Sequence, residues 1–231
     1  LFRTIDRLKD KARGELSIHG EVFSPFTQFM DLFGYETALM NLVADEGRGQ
    51  AMLERLSLGA ADLARRLALR GVDAVLVSSA FAGAGFISLD WYRRFVLPHE
   101  RRVVQAVRQA RPGTPVYVHT CGAIGDRLEA MLEAGYAGVD TLDPPPLGSV
   151  DLPDAVQRLK GRAFIKGNMD SVNTLLRGGV DKVRRDARMR VETAGPHGGY
   201  ILSSACSVAP RVPVENLMVL REVAEKYGRF A

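Results

Sequence analysis

The chain has 231 residues, 46% hydrophobic and 25% charged, a balance that suits one sizeable globular domain and excludes a disordered or fibrous polymer. Its net charge of +4 comes from arginines scattered among acidic residues along segments such as RRVVQAVRQARP, so the expectation is solvated helix faces and no nucleic-acid partner. No apolar stretch is long enough to cross a bilayer, the opening LFRTIDRLKDKARGE is too charged for a secretory leader, and two cysteines make no disulfide framework. A cytoplasmic protein with reduced cysteines and no membrane partner is expected.

Short apolar runs alternate with amphipathic segments, the pattern of parallel strands joined by crossover helices. The first strand is read at LSIHGE (16–21), followed by a helix over FTQFMDLFG and one long helix from ETALMNL to LALRG. A second strand, DAVLVSS (73–79), leads into the helix LDWYRRFVLPHERRVVQAVRQA, which Pro98 is expected to kink or break. Four further strands follow: PVYVHT (115–120), AGVDTL (137–142), AFIKG (163–167) and GYILSS (199–204). They alternate with helices over GDRLEAMLEAG, DLPDAVQRL, VDKVRRDARMRVETAG and PVENLMVLREVAEKYG, and Asp126 and Asp151 are expected near helix N-termini as caps. The alternation fits a (β/α) barrel or an open doubly wound sheet, and the lack of GxGxxG after the first strand disfavours the dinucleotide-binding form. A closed barrel needs eight strands, so six readable runs suggest a TIM (β/α)8-type barrel as one domain over residues 1–231. Its N-terminal one or two βα units would lie before Leu1.

In either architecture the site gathers where strands end at their C-termini. Those ends carry Glu21, Phe23 and Ser24; Ser78, Ser79 and Phe81; His119 and Cys121; Asp140 and Asp143; Asn168 and Asp170; and Ser203, Ser204 and Cys206. His119 and Cys121 are two apart on an extended segment, so both side chains point to one side, and Gly122 then lets the backbone turn. Cys206 lies past another strand end, and His119, Cys121 and Cys206 make a donor set for zinc with a fourth position open. The competing reading makes the cysteines small buried hydrophobes and His119 a hydrogen-bonded core residue. The position of both cysteines at strand ends favours the metal.

Asp143 in DTLDPPP is a candidate catalytic group that could complete or gate the tetrahedron, or a turn residue. Asp140 could orient His119. Glu21 is a second candidate catalytic carboxylate, and Ser79, Phe81, Asn168, Asp170 and Ser204 are candidate substrate contacts, although a turn would use Asn168 and Asp170 equally well. His19, His99 and His197 read as structural, and Trp91 and Tyr92 as packing against the barrel.

The stretches HTCGAIGDRLEAMLEAGYAGVDTLDPPP, FIKGNMDSVNTLLRGG and YILSSACSVAPRVPVENL resemble the C-terminal two-thirds of the superfamily of uroporphyrinogen decarboxylases and cobalamin-dependent methyltransferases. SLDWYRRFVLPHERRVVQAVR resembles its helix after a mid-barrel strand. The resemblance implies a TIM barrel. Its methyltransferase branch implies zinc on His119, Cys121 and Cys206, with a methyl group passing between a corrinoid (cobalamin) and a thiol or methoxylated small molecule. The corrinoid would be carried by a partner protein or domain, because no DxHxxG signature occurs here. The decarboxylase branch is metal-free and usually places histidine where Cys206 stands. A third alternative is a non-catalytic binding barrel with a structural zinc closed by Asp143.

Overall fold

Six runs of β-prone residues form strands in the computed structural model, which describes residues 2–230. They are β1 (His19–Phe23), β2 (Ala74–Ser78), β3 (Val116–His119), β4 (Gly138–Thr141), β5 (Phe164–Met169) and β6 (Tyr200–Ser204). They line up in sequence order in one sheet, and the β1–β2, β2–β3, β4–β5 and β5–β6 ladders are parallel. Sequential parallel strands with helical crossovers are the wall of a (β/α) barrel, as the residues predict.

The helices are α1 (Phe2–Ala12), α2 (Pro25–Phe33), α3 (Tyr35–Ala44), α4 (Glu46–Leu69), α5 (Leu89–Trp91), α6 (Leu97–Ala110), α7 (Leu128–Ala134), α8 (Leu152–Leu159), α9 (Val180–Ala194) and α10 (Val214–Tyr227). None among the described residues is long and apolar enough to cross a membrane. The single helix expected after α2 is two. Asp45 leaves helical geometry at φ −148° and ψ 83°, and its carboxylate accepts the Arg48 amide at 3.0 Å, capping α4. Pro98 acts as expected of a breaker. It has no N–H to offer the Arg94 carbonyl one turn back, Tyr92–Val96 winds as a π-helix, and that carbonyl accepts instead from Gln50 Nε2 at 3.2 Å.

Two expected caps are corrected. Asp151 stands at the N-cap of α8 without a side-chain cap bond, and Asp126 spends its carboxylate on Arg127, at 2.8 and 3.0 Å. Arg127 is fully buried, and a buried guanidinium outcompetes a solvated amide for a carboxylate. Ser24, Ser88 and Asp170 carry caps instead.

Contacts divide the chain into two compact units, one of residues 1–82, 86–119 and 130–137, the other of residues 83–85, 120–129 and 138–231. In the first, Gly20 and Val22 of β1 are buried while His19, Glu21 and Phe23 alternate to the exposed side. In the second, Met169, Leu175, Val183, Ala187, Val191, Val219 and Val223 form one buried cluster that packs α9 and α10 beside the end of β5.

Candidate metal centre

Each candidate ligand sits where a strand stops and backbone hydrogen bonds fix its exit. His119 closes β3, and its carbonyl accepts the Ser79 amide at 2.8 Å, which ties it to the end of β2. The unit boundary falls at the next peptide bond, so His119 and Cys121 stay two residues apart on continuous chain.

Cys121 is half-buried. Gly122 follows with φ +77°, a left-handed conformation that a side chain would strain, and its amide donates to Asp143 Oδ2 at 2.6 Å. A Cβ on Gly83 would stand 2.5 Å from the Cys121 carbonyl oxygen, so only glycine lets that segment lie so close. Cys206 follows β6, where the Ala205 amide donates to the Met169 carbonyl at 2.7 Å and the Cys206 amide donates to Ser171 Oγ at 3.2 Å. Asp170, whose carboxylate takes the amides of Val172 and Asn173 at 2.9 and 2.7 Å, fixes the turn that presents Ser171.

The two sulfurs stand 3.9 Å apart, and with a ring nitrogen of His119 the three donor atoms lie within 4.8 Å of one another. Two zinc–sulfur bonds of ~2.3 Å at a tetrahedral angle span ~3.8 Å, so the donor set matches a zinc ion in type and spacing. Burial, then the Cys206 thiol and the Asp143 and Asp140 carboxylates, push the Cys121 thiol up to about 12. A thiol raised in this way stays protonated on its own and becomes a thiolate when a divalent cation is bound beside it.

Asp143 is buried and lies outside that three-residue group, anchoring the turn through Gly122. Asp143→Ala is expected to lower stability by about 2 kcal/mol, the cost of stranding the Gly122 amide. An unchanged midpoint in urea unfolding would remove Asp143 as the anchor.

Asp140 accepts Lys166 Nζ and the Thr141 amide, each at 3.0 Å. Ser79 is fully buried and donates to Ser24 Oγ at 3.1 Å. Phe81 packs edge-on to Phe86 with centroids 5.3 Å apart. Glu21 is exposed in register with Leu76. Asn168 is buried, with Nδ2 donating to the Leu142 carbonyl and Oδ1 accepting Arg190 Nε, both at 3.0 Å. Ser204 is half-buried opposite Met169. Of the other histidines, His19 is exposed rather than in the core, with ring nitrogens at Ser17 and Tyr117, and His99 is buried against Gln50.

Sequence reasoning passed over Ser171, Gly83 and the buried acid Glu100. Ser171 and Gly83 adjoin readable motifs, but their tasks lie on backbone atoms distant in the chain. Glu100 sits in LPHERR, where nothing local separates it from its solvated neighbours.

The methylcobamide:CoM methyltransferase MtaA of Methanosarcina barkeri is 23% identical over 228 residues, which cover 98% of this chain and 63% of that protein. A uroporphyrinogen decarboxylase of Chlorobium phaeobacteroides is 32% identical over 162 residues, 68% of this chain and 42% of that enzyme. A solved methyltransferase structure from Methanosarcina mazei superposes with a TM-score of 0.85 at 21% identity, covering 99% of this chain and 64% of that one. The chain thus spans less than two thirds of the length of these relatives. The relatives are enzymes of two kinds. The uroporphyrinogen decarboxylase (URO-D) family profile matches residues 1–227, and the chain belongs to that family.

Proposed function

We propose that this chain forms the zinc-holding part of a corrinoid-dependent methyltransferase acting in the cytoplasm, with His119, Cys121 and Cys206 as metal ligands. The reading is carried by the 3.9 Å separation of two sulfurs that each lie two residues past a different strand, with a histidine two residues before one of them. Metal-free decarboxylation has no use for a matched pair of soft donors.

When bound, zinc supplies a Lewis acid that makes a thiol ionise near neutral pH or polarises the oxygen of a methyl ether. The chain's residues do the holding. Ser79 fixes the His119 carbonyl, Asp143 fixes the turn after Cys121, and Ser171 fixes the backbone of Cys206. Three protein donors leave one coordination position for a substrate sulfur or oxygen. Glu21 lies in the middle of β1, not at its end as the sequence suggests, whereas Ser79, Phe81, Asn168, Asp170 and Ser204 stand at or just past strand ends as the candidates for holding a small substrate. The methyl group would travel on a corrinoid carried by a partner protein.

Purified protein is expected to hold about one zinc per chain and, after cobalt(II) substitution, to show a sulfur-to-cobalt charge-transfer band. It is expected to move methyl groups between methylcobalamin and a small thiol. Absence of metal, with carbon dioxide released from uroporphyrinogen, would reverse the assignment in favour of the decarboxylase.

A further inference from the structure

Cys121 and Cys206 are the two cysteines of the chain, and both belong to the second unit. Both are free and half-buried, with their sulfurs 3.9 Å apart. A disulfide needs the sulfurs at ~2.05 Å, so the gap has to close by about 1.9 Å, shared between two side chains. The backbone at each end is already held. The Gly122 amide donates to Asp143 at 2.6 Å, and Ser171 Oγ accepts the Cys206 amide at 3.2 Å and donates to the Cys206 carbonyl at 3.3 Å. In an unfolded chain the same thiols would first have to close a loop spanning 85 positions, and the fold does this in advance.

The two thiols differ in access. Cys206 opens onto residues 207–211, all exposed, whereas Cys121 lies between fully buried Thr120 and buried Ile124. A small reagent therefore meets Cys206 first, with Cys121 behind it. The Asp143 carboxylate stands one hydrogen bond from the residue after Cys121, so an uncharged reagent suits the site better than an anionic one.

We infer that Cys121 and Cys206 are a modification site: in the metal-free chain they join as a disulfide by exchange with a small uncharged disulfide. The Cys206 thiol gives up its proton and attacks one reagent sulfur. The reagent S–S bond breaks, and half of the reagent leaves as a thiol carrying that proton. The Cys121 thiol then attacks the Cys206 sulfur, the Cys121–Cys206 bond forms, and the second half leaves as a thiol with the Cys121 proton. Two protein thiols are oxidised and one reagent disulfide is reduced to two thiols. The inference deepens the metal-centre reading, under which zinc and the disulfide compete for the same sulfurs, but the bond itself forms without metal.

The test treats the metal-free full chain with hydroxyethyl disulfide, quenches in acid, and reads intact mass and tryptic peptides. The expected product has no free thiol and no bound reagent, with peptides 109–127 and 191–211 joined. The exchange equilibrium is expected to favour that bond by at least ~100-fold over the same chain unfolded in urea, where the loop must close first. Cys121→Ser is expected to stop at one reagent half on Cys206. Retention of both wild-type thiols, a reagent half left on each cysteine, or equal equilibria in the folded and unfolded chains would overturn the inference, as would a folded Cys121→Ser variant whose Cys206 takes up no reagent. Zinc added beforehand is expected to slow the exchange on the order of tenfold or more. A disulfide that forms at the same rate with zinc present sustains the inference and counts against the metal centre, which separates the two failures.

Discussion

Replacing Cys206 by serine is expected to strip zinc from the purified protein, weakening affinity by more than ~100-fold, and to abolish methyl transfer. Removing an outer partner of a metal ligand typically costs 10–100-fold, and the loss of a thiolate should exceed that. Serine stays a neutral hydroxyl near pH 7 and offers the ion little, leaving His119 and Cys121 as the two remaining donors of the group. The side chain is half-buried, and its backbone stays fixed by Ser171, so the fold should survive and the circular dichroism spectrum should not change. Metal content measured beside that spectrum checks the expectation. A folded variant that still carries wild-type zinc would remove Cys206 from the ligand set, and the methyltransferase assignment would go with it.

Gly148→Ala is expected to cost about 3 kcal/mol or more of stability and to weaken metal binding from a distance. Gly148 is buried in the turn after β4, its amide donating to the Pro144 carbonyl at 3.0 Å. A Cβ there would run into the Asp143 carbonyl oxygen, so the turn must open. The turn carries two anchors of the loop that presents Cys121: Asp143 holds the Gly122 amide, and Ser149 Oγ accepts the Gly125 amide at 3.0 Å. Opening it should shift both. Leu147→Ala is the control, because Leu147 is 66% exposed and surface changes of this kind stay within about 0.5 kcal/mol. Urea midpoints and zinc affinities of the two variants should part widely, and equal values would show that the turn tolerates a methyl group.

The architecture was readable because each strand is a short apolar run between amphipathic segments, and that contrast survives in a single sequence. Only the first strand moved. Leu16 and Ile18 drew the reading toward residues 16–21, whereas the chain extends at His19–Phe23, where buried Gly20 and Val22 alternate with exposed neighbours. The break at Asp45 was hidden by apolar periodicity running through both helices; the cap that decides it depends on one carboxylate. α1 was read only for its charge, though Ile5 is buried on one face.

At the candidate metal centre, the two-residue spacing of His119 and Cys121 is local and legible, and the grouping of Cys206 with them follows from the rule that strand ends converge. What holds those side chains could not be seen. Asp143 acts 21 residues from Gly122, Ser171 acts 35 from Cys206, and Arg190 satisfies Asn168 from 22 away. Interactions of that range leave no periodic trace, because they join groups far apart in the chain.

The 3.9 Å gap between the sulfurs also bears on chain topology. Cys121 and Cys206 are 85 positions apart, so an ion gripping both is a removable cross-link around a long loop. Closing a loop of that size removes on the order of 4 kcal/mol of entropy from the unfolded chain, provided the ion holds both sulfurs there. On that footing, the same contact that shapes the chemistry would couple the endurance of residues 121–206 to metal supply, and the protein's lifetime would rise and fall with zinc.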